Sequence, residues 1–173
     1  MSLSKVLTDQ FGEHIEQSGD DTGADVTFTV MALGANFWPL NAPTHDFTIP
    51  REILPTYDRF TQYYRRKNSG RKLTWLWNYS KNELRANTLN QKYILMTSSY
   101  QMAVLIQYNN NDSLSLDELI QATGITKDLL VQVVGVLVKA KMLVEGDTEQ
   151  YDFNPNFKSK KVCRYHSLAM NQT

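Results

Sequence analysis

The stretch Tyr93–Tyr108, YILMTSSYQMAVLIQY, changes its hydrophobic period in the middle. Tyr93, Leu95 and Thr97 alternate with their neighbours, the period of a strand with one covered face. From residue 98 the chain turns helical, and Tyr100–Tyr108 is short and apolar. An alternating segment that runs into helices marks a seam between a sheet-bearing part and a helical part.

Upstream of the seam, Leu84, Ala86 and Thr88 alternate over 83–89, and Leu73, Trp75 and Trp77 over 72–77. Turn residues at 78–82 and 90–91 separate these segments from each other and from 92–97, which predicts a meander of short antiparallel strands. Ile53, Leu54, Tyr57, Phe60, Tyr63 and Tyr64 form the apolar face of a helix predicted over 51–67. Pro50 suits its start, Arg65-Arg66-Lys67 favours its C-terminus, and Gly70 stops it with an expected positive φ. Val26, Phe28, Val30 and Ala32 alternate against Thr27 and Thr29, a half-buried strand over 26–33. The stretch 34–50, with Gly34, Pro39, Pro43 and Pro50, is loop-like. Leu3, Leu7, Phe11 and Ile15 recur every four residues, so 3–17 is expected as a helix whose stripe must pack on something. We read it as the end of a helical bundle, cut from a longer chain.

Downstream, Ser115 with Glu118 three residues on is a capping box for a helix over 116–122, which Gly124 ends. Thr126 is expected to cap a helix over 127–141, apolar at Leu129, Leu130, Val133, Val134, Leu137 and Val138. Leu143-Val144 begins a strand, Gly146-Asp147 turns, and Val162–Leu168 is the expected return strand. Three helices and a two-stranded wing make a winged-helix layout. The expected fold class is α+β: the end of a helical bundle at 1–20, a small α/β domain with an antiparallel meander sheet at 21–98, and a winged-helix domain at 99–173.

Eighteen basic and 18 acidic residues give zero formal charge, which disfavours a dedicated nucleic-acid binder. One cysteine, Cys163, excludes a disulfide or a cysteine-based zinc site within the chain. No apolar run approaches the roughly 20 residues of a membrane span. Glycine-rich phosphate loops and nucleophile elbows are missing. His14, His45 and His166 fall on three different elements and read as surface or packed histidines. Cys163 lies between Lys161 and Arg164, where a thiol pKa can fall, yet a structural thiol is the preferred reading over a thioester-forming nucleophile. A winged helix raises DNA binding, with the 127–141 helix in the major groove. Its middle, LLVQVVGVLV, offers only Gln132 for base edges, so it is expected to be a packing element. The basic run Lys158, Lys160, Lys161 and Arg164 is read as a solvated wing.

Several segments carry more than periodicity. Phe37-Trp38-Pro39-Leu40 follows the first strand, and Ser69-Gly70-Arg71-Lys72-Leu73-Thr74-Trp75-Leu76 follows the helix. Glu83-Leu84-Arg85-Ala86-Asn87, Lys92-Tyr93-Ile94-Leu95 and Thr97-Ser98-Ser99-Tyr100-Gln101-Met102-Ala103-Val104-Leu105 come next. In this order and spacing the chain resembles the cullin homology region from about Val6 to Val144. The segment Phe157–Val162 is similar to the strand that follows that family's winged helix. The resemblance is greatest to the cullin of SCF-type ligases, carried by Gln107-Tyr108-Asn109 and Ser80-Lys81-Asn82-Glu83-Leu84. It implies a non-catalytic scaffold of a multi-subunit ubiquitin ligase, cytoplasmic and nuclear, acting in ubiquitin-dependent protein degradation. This region would recruit the RING-box protein and, through it, the ubiquitin-conjugating enzyme. No cofactor, metal, small-molecule substrate, nucleic acid or membrane is implied. The family's second winged helix, with its modified lysine, finds no match before Thr173, and its amino-terminal repeats are absent, so a middle piece is expected.

The resemblance implies that the RING protein adds a strand to an open sheet edge. The strand 26–33, between a flexible loop and a proline-rich one, is the least tethered to the meander. The partner surface is therefore expected at Val26, Phe28 and Val30, over a core containing Trp75 and Trp77. The rivals are a winged-helix DNA-binding protein and an enzyme using Cys163.

Overall fold

A computed structural model describes residues 28–33, 45, 47–86, 89 and 93–158. The expected helix 3–17, Val26, the expected strand Val162–Leu168, Cys163, His14 and His166 lie outside these residues. The chain is mixed α+β and divides into two compact units, Met1–Ala42 with Pro50–Trp75, and Pro43–Ile49 with Leu76–Thr173. The expected boundary at 98/99 differs from this division at 75/76.

The first unit is built on helix α1, Leu54–Lys67. It starts three residues later than predicted because Arg51–Ile53 forms a turn: the N–H groups of Ile53 and Leu54 both donate to the Pro50 carbonyl, at 3.1 and 3.0 Å. Pro55 sits in the first turn, where its missing N–H has no intrahelical partner to lose. At the far end the Asn68 N–H donates to the Tyr64 carbonyl at 2.9 Å. Gly70 follows at φ +82°, as expected.

Residues 71–76 carry no strand, and Trp77–Tyr79 is a short 3₁₀ turn, which corrects the expected strand over 72–77. Residues 28–33 carry no strand assignment either. Both stretches still alternate. Leu73 and Trp75 are half-buried around an exposed Thr74, and Phe28, Val30 and Ala32 are covered while Thr29, Met31 and Leu33 are exposed. Alternation requires only one covered face, here supplied by aromatic side chains, and a ladder partner is a separate matter.

In the second unit β1, Lys81–Ala86, pairs antiparallel with β2, Tyr93–Ser98, from Lys81 opposite Ser98 to Ala86 opposite Tyr93. The predicted meander is therefore a two-stranded hairpin. β2 runs without a break into α2, Ser99–Gln107, through a capping box. The Ser98 hydroxyl accepts from the Gln101 N–H at 3.2 Å, and the Gln101 side chain accepts from the Ser98 N–H at 3.0 Å.

Next comes β3, Ser113–Ser115, which sequence reading missed; three residues are too few for a period. α3, Leu116–Thr123, opens on the expected Ser115–Glu118 capping box and closes at Gly124, φ +65°. α4, Lys127–Lys139, starts at Thr126, but the Thr126 side chain makes no capping bond, contrary to expectation. β4, Leu143–Glu145, pairs with β5, Gln150–Phe153, which also pairs with β3, giving the order β3-β5-β4. β5, which the sequence reading did not place, thus pairs with β4; the expected strand Val162–Leu168 lies outside the described residues. Val104, Leu116, Leu119, Ile125, Leu130, Val134 and Leu143 are among the most completely buried apolar side chains of this unit. The Tyr108 hydroxyl donates to the Tyr151 carbonyl at 3.1 Å, and burial, then Asp152 and Tyr151, push its phenol pKa up.

Candidate functional site

The expected partner surface begins with Phe28, whose ring meets three others. Its centroid lies 5.0 Å from Tyr57, 5.7 Å from Phe60 and 6.2 Å from Trp75. Trp75 in turn lies 4.9 Å from Tyr57 and 5.7 Å from Phe60. These edge-on and tilted packings suit aromatic quadrupoles, each adding about 0.5–1.5 kcal/mol beyond buried area. Phe60 is fully buried and Val30 is 7% exposed, packed in the same cluster. Burial raises the Tyr57 phenol pKa. Four aromatic rings from three stretches of chain thus fix the strip 28–33 by its inner face.

The outer face of the strip is partly apolar and exposed. Met31 is 75% exposed and Leu33 is 39% exposed. The sequence reading named the inner residues Phe28 and Val30 and passed over these two. A signal was present: the outward positions run Thr29, Met31, Leu33, changing from polar to apolar.

Trp77 does not share a core with Trp75. It is buried in the second unit, its ring 5.2 Å from Phe47, which lies 5.4 Å from Tyr100. The Tyr100 hydroxyl donates to the His45 carbonyl at 2.9 Å, and the Thr48 N–H donates to the Thr123 carbonyl at 2.7 Å. His45, Phe47 and Thr48 therefore fasten onto the helical unit, and Trp77 serves that attachment. Of the five expected residues, Phe28, Val30 and Trp75 come together, Trp77 stands apart, and Val26 lies outside the described residues.

The helix that a DNA reader would insert is α4. Leu129, Leu130, Val133, Val134 and Leu137 are buried. Its exposed residues are Lys127, Asp128, Val131, Gln132 and Lys139, and Val131 is 47% exposed, so it is less enclosed than expected. The strands after it carry exposed Glu145, Asp147, Glu149 and Asp152. These acidic groups would repel phosphates.

With this geometry in view, a family model described as the cullin alpha+beta domain matches residues 32–163. The chain is 36% identical to Cullin-1 of Schizosaccharomyces pombe, over 94% of the chain and 22% of that protein. It is 34% identical to Cullin-1 of Dictyostelium discoideum, again over 94% and 22%. Cullin-4A of Homo sapiens is 30% identical over 100% of the chain and 24% of its own length. The chain thus spans 22% to 24% of these curated relatives.

Proposed function

Since the chain belongs to the cullin family, we propose that it is part of the scaffold of a multi-subunit ubiquitin ligase. In this reading the region holds the RING-box protein and, through it, the ubiquitin-conjugating enzyme, and contributes no catalytic group of its own. The surroundings would be cytoplasm and nucleus. The helix–strand–helix–helix–strand–strand order of α2 to β5 is read as a winged helix used for packing rather than for DNA.

One observation carries the assignment of the partner surface. The strip 28–33 alternates in burial, is fixed on its inner face by Phe28 and Val30, and is apolar on its outer face at Met31 and Leu33. An extended partner segment laid along the outer face gains side-chain contacts every second residue. Mutual exclusion of water by Met31, Leu33 and the partner's apolar residues adds about 25 cal/mol per Å² of apolar surface covered.

Co-purification tests this reading. The chain, co-expressed with a RING-box protein, is expected to elute with it as one species, and to support ubiquitin transfer only when a conjugating enzyme is also present. Separate elution, or transfer without the RING protein, contradicts it.

A further inference from the structure

Helix α4 presents two different faces. One, with Leu129, Leu130, Val133, Val134 and Leu137, is buried in the second unit. At about 3.6 residues per turn, Asp128, Val131, Gln132, Gly135 and Lys139 share the opposite side. All but Gly135 are exposed, and Val131 is 47% exposed. Gly135 is half-buried, and an added Cβ there meets nothing within 4 Å.

The helix dipole accounts for an acid in the first turn and a base in the last. It does not account for the open valine between them. Nor does it account for a glycine in a helix interior where alanine has room and would favour the helix.

We propose that this face of α4 is a contact between two copies of the chain, packed antiparallel about a twofold axis. The order of residues along the stripe identifies the occupant. An axis midway between Asp128 and Lys139 sets Asp128 of one copy opposite Lys139 of the other. The same axis sets Val131 opposite Val136, which is half-buried at the edge of the stripe, and Gln132 opposite Gly135. Each pairing is complementary: acid with base, apolar with apolar, a long amide side chain with the space over a glycine. A rise of about 1.5 Å per residue puts the two acid–base pairs of the dimer about 16 Å apart, one at each end of the contact. A twofold contact uses the same patch on both copies, so the matching surface is already present in a second chain. One helix per copy places the contact among the small interfaces, below about 1,200 Å² in total, so the dimer is weak and forms at high protein concentration.

Sedimentation equilibrium of the 173-residue chain from about 1 μM to about 1 mM tests this. A monomer–dimer equilibrium is expected. Asp128→Lys sets lysine against lysine across the axis, and Lys139→Asp sets aspartate against aspartate. Each variant alone should weaken the dimer at least about tenfold. Mixed one to one, the two should associate within about threefold of the wild-type chain, because the mixed dimer has opposite charges at both ends. Val131→Glu should also weaken the dimer at least about tenfold, whereas Val144→Glu, at an exposed valine on β4 outside the stripe, should change it less than about twofold. Should either charge variant melt early, the comparison of Val131→Glu with Val144→Glu decides alone. A chain that stays monomeric over the whole range, folded charge variants that associate no better mixed than apart, or equal losses in Val131→Glu and Val144→Glu overturns the proposal.

Discussion

Gly124 and Gly70 both hold positive φ, +65° and +82°, but a side chain would meet different surroundings at each. At Gly70 an added Cβ finds nothing within 4 Å; at Gly124 it lies 2.8 Å from Thr48 Oγ1 and 3.4 Å from the Thr48 backbone nitrogen. Gly70→Ala should therefore cost only the left-handed backbone term, about 1–2 kcal/mol. Gly124→Ala should cost more, and Thr48→Ala in that background should restore part of the difference. Urea denaturation of the three variants and the wild-type chain checks this, and equal costs at the two glycines would contradict it. The positive φ at Gly70 was legible in the sequence, because a glycine after a basic last turn ends helices. The role of Gly124 against Thr48 was not, since it depends on a contact 76 positions apart in the chain.

At the scale of elements, the two capping boxes differ in one respect that pH reveals. Ser98 is paired with Gln101, Ser115 with Glu118. Hydrogen bonds from the Ser115 backbone and hydroxyl hold the Glu118 carboxyl below its ordinary pKa. A depressed carboxyl stabilises the fold above its unfolded pKa, and that contribution disappears as pH falls through the folded value. Glu118→Gln should therefore flatten the acid side of the stability–pH curve. Ser98→Ala should cost about 1 kcal/mol with no such pH dependence. Thermal melts from neutral to acid pH distinguish the two. On α4, Gly135 is helical and an added Cβ meets nothing within 4 Å, so Gly135→Ala should stabilise by about 0.5–1 kcal/mol. A lower melting temperature would show that the position is strained. Helices were legible to within a few residues because caps and the 3.6 period locate them. Strands were less so: Leu73 and Trp75 alternate in a stretch that carries no strand assignment, and β3 is too short to show any period.

At the scale of the molecule, the α+β class was legible because strand-like and helical periods occupy successive stretches of chain. The placement of Trp75 and Trp77 in different units was not. Two tryptophans two apart on an alternating run read as one face, and nothing local signals that the run changes its covering partner between them. The proposed partner strip, residues 28–33, was half legible. Sequence pattern located 26–33 and its inner anchors, but the outward Met31 became a candidate only through its exposure. For the same reason Phe28→Asp is a poor probe, because it places a charge among Tyr57, Phe60 and Trp75 and threatens the fold itself. Met31→Asp changes an exposed side chain and leaves that cluster intact. The direct test is therefore calorimetric titration of a RING-box protein into the chain, its Met31→Asp variant and a Lys158→Asp control, all checked for folding by circular dichroism. Strand addition along 28–33 predicts unchanged binding for Lys158→Asp and a loss of roughly tenfold or more for Met31→Asp, as a charge in an apolar seam costs about 1–3 kcal/mol. Equal affinity of the wild-type chain and Met31→Asp would contradict the account.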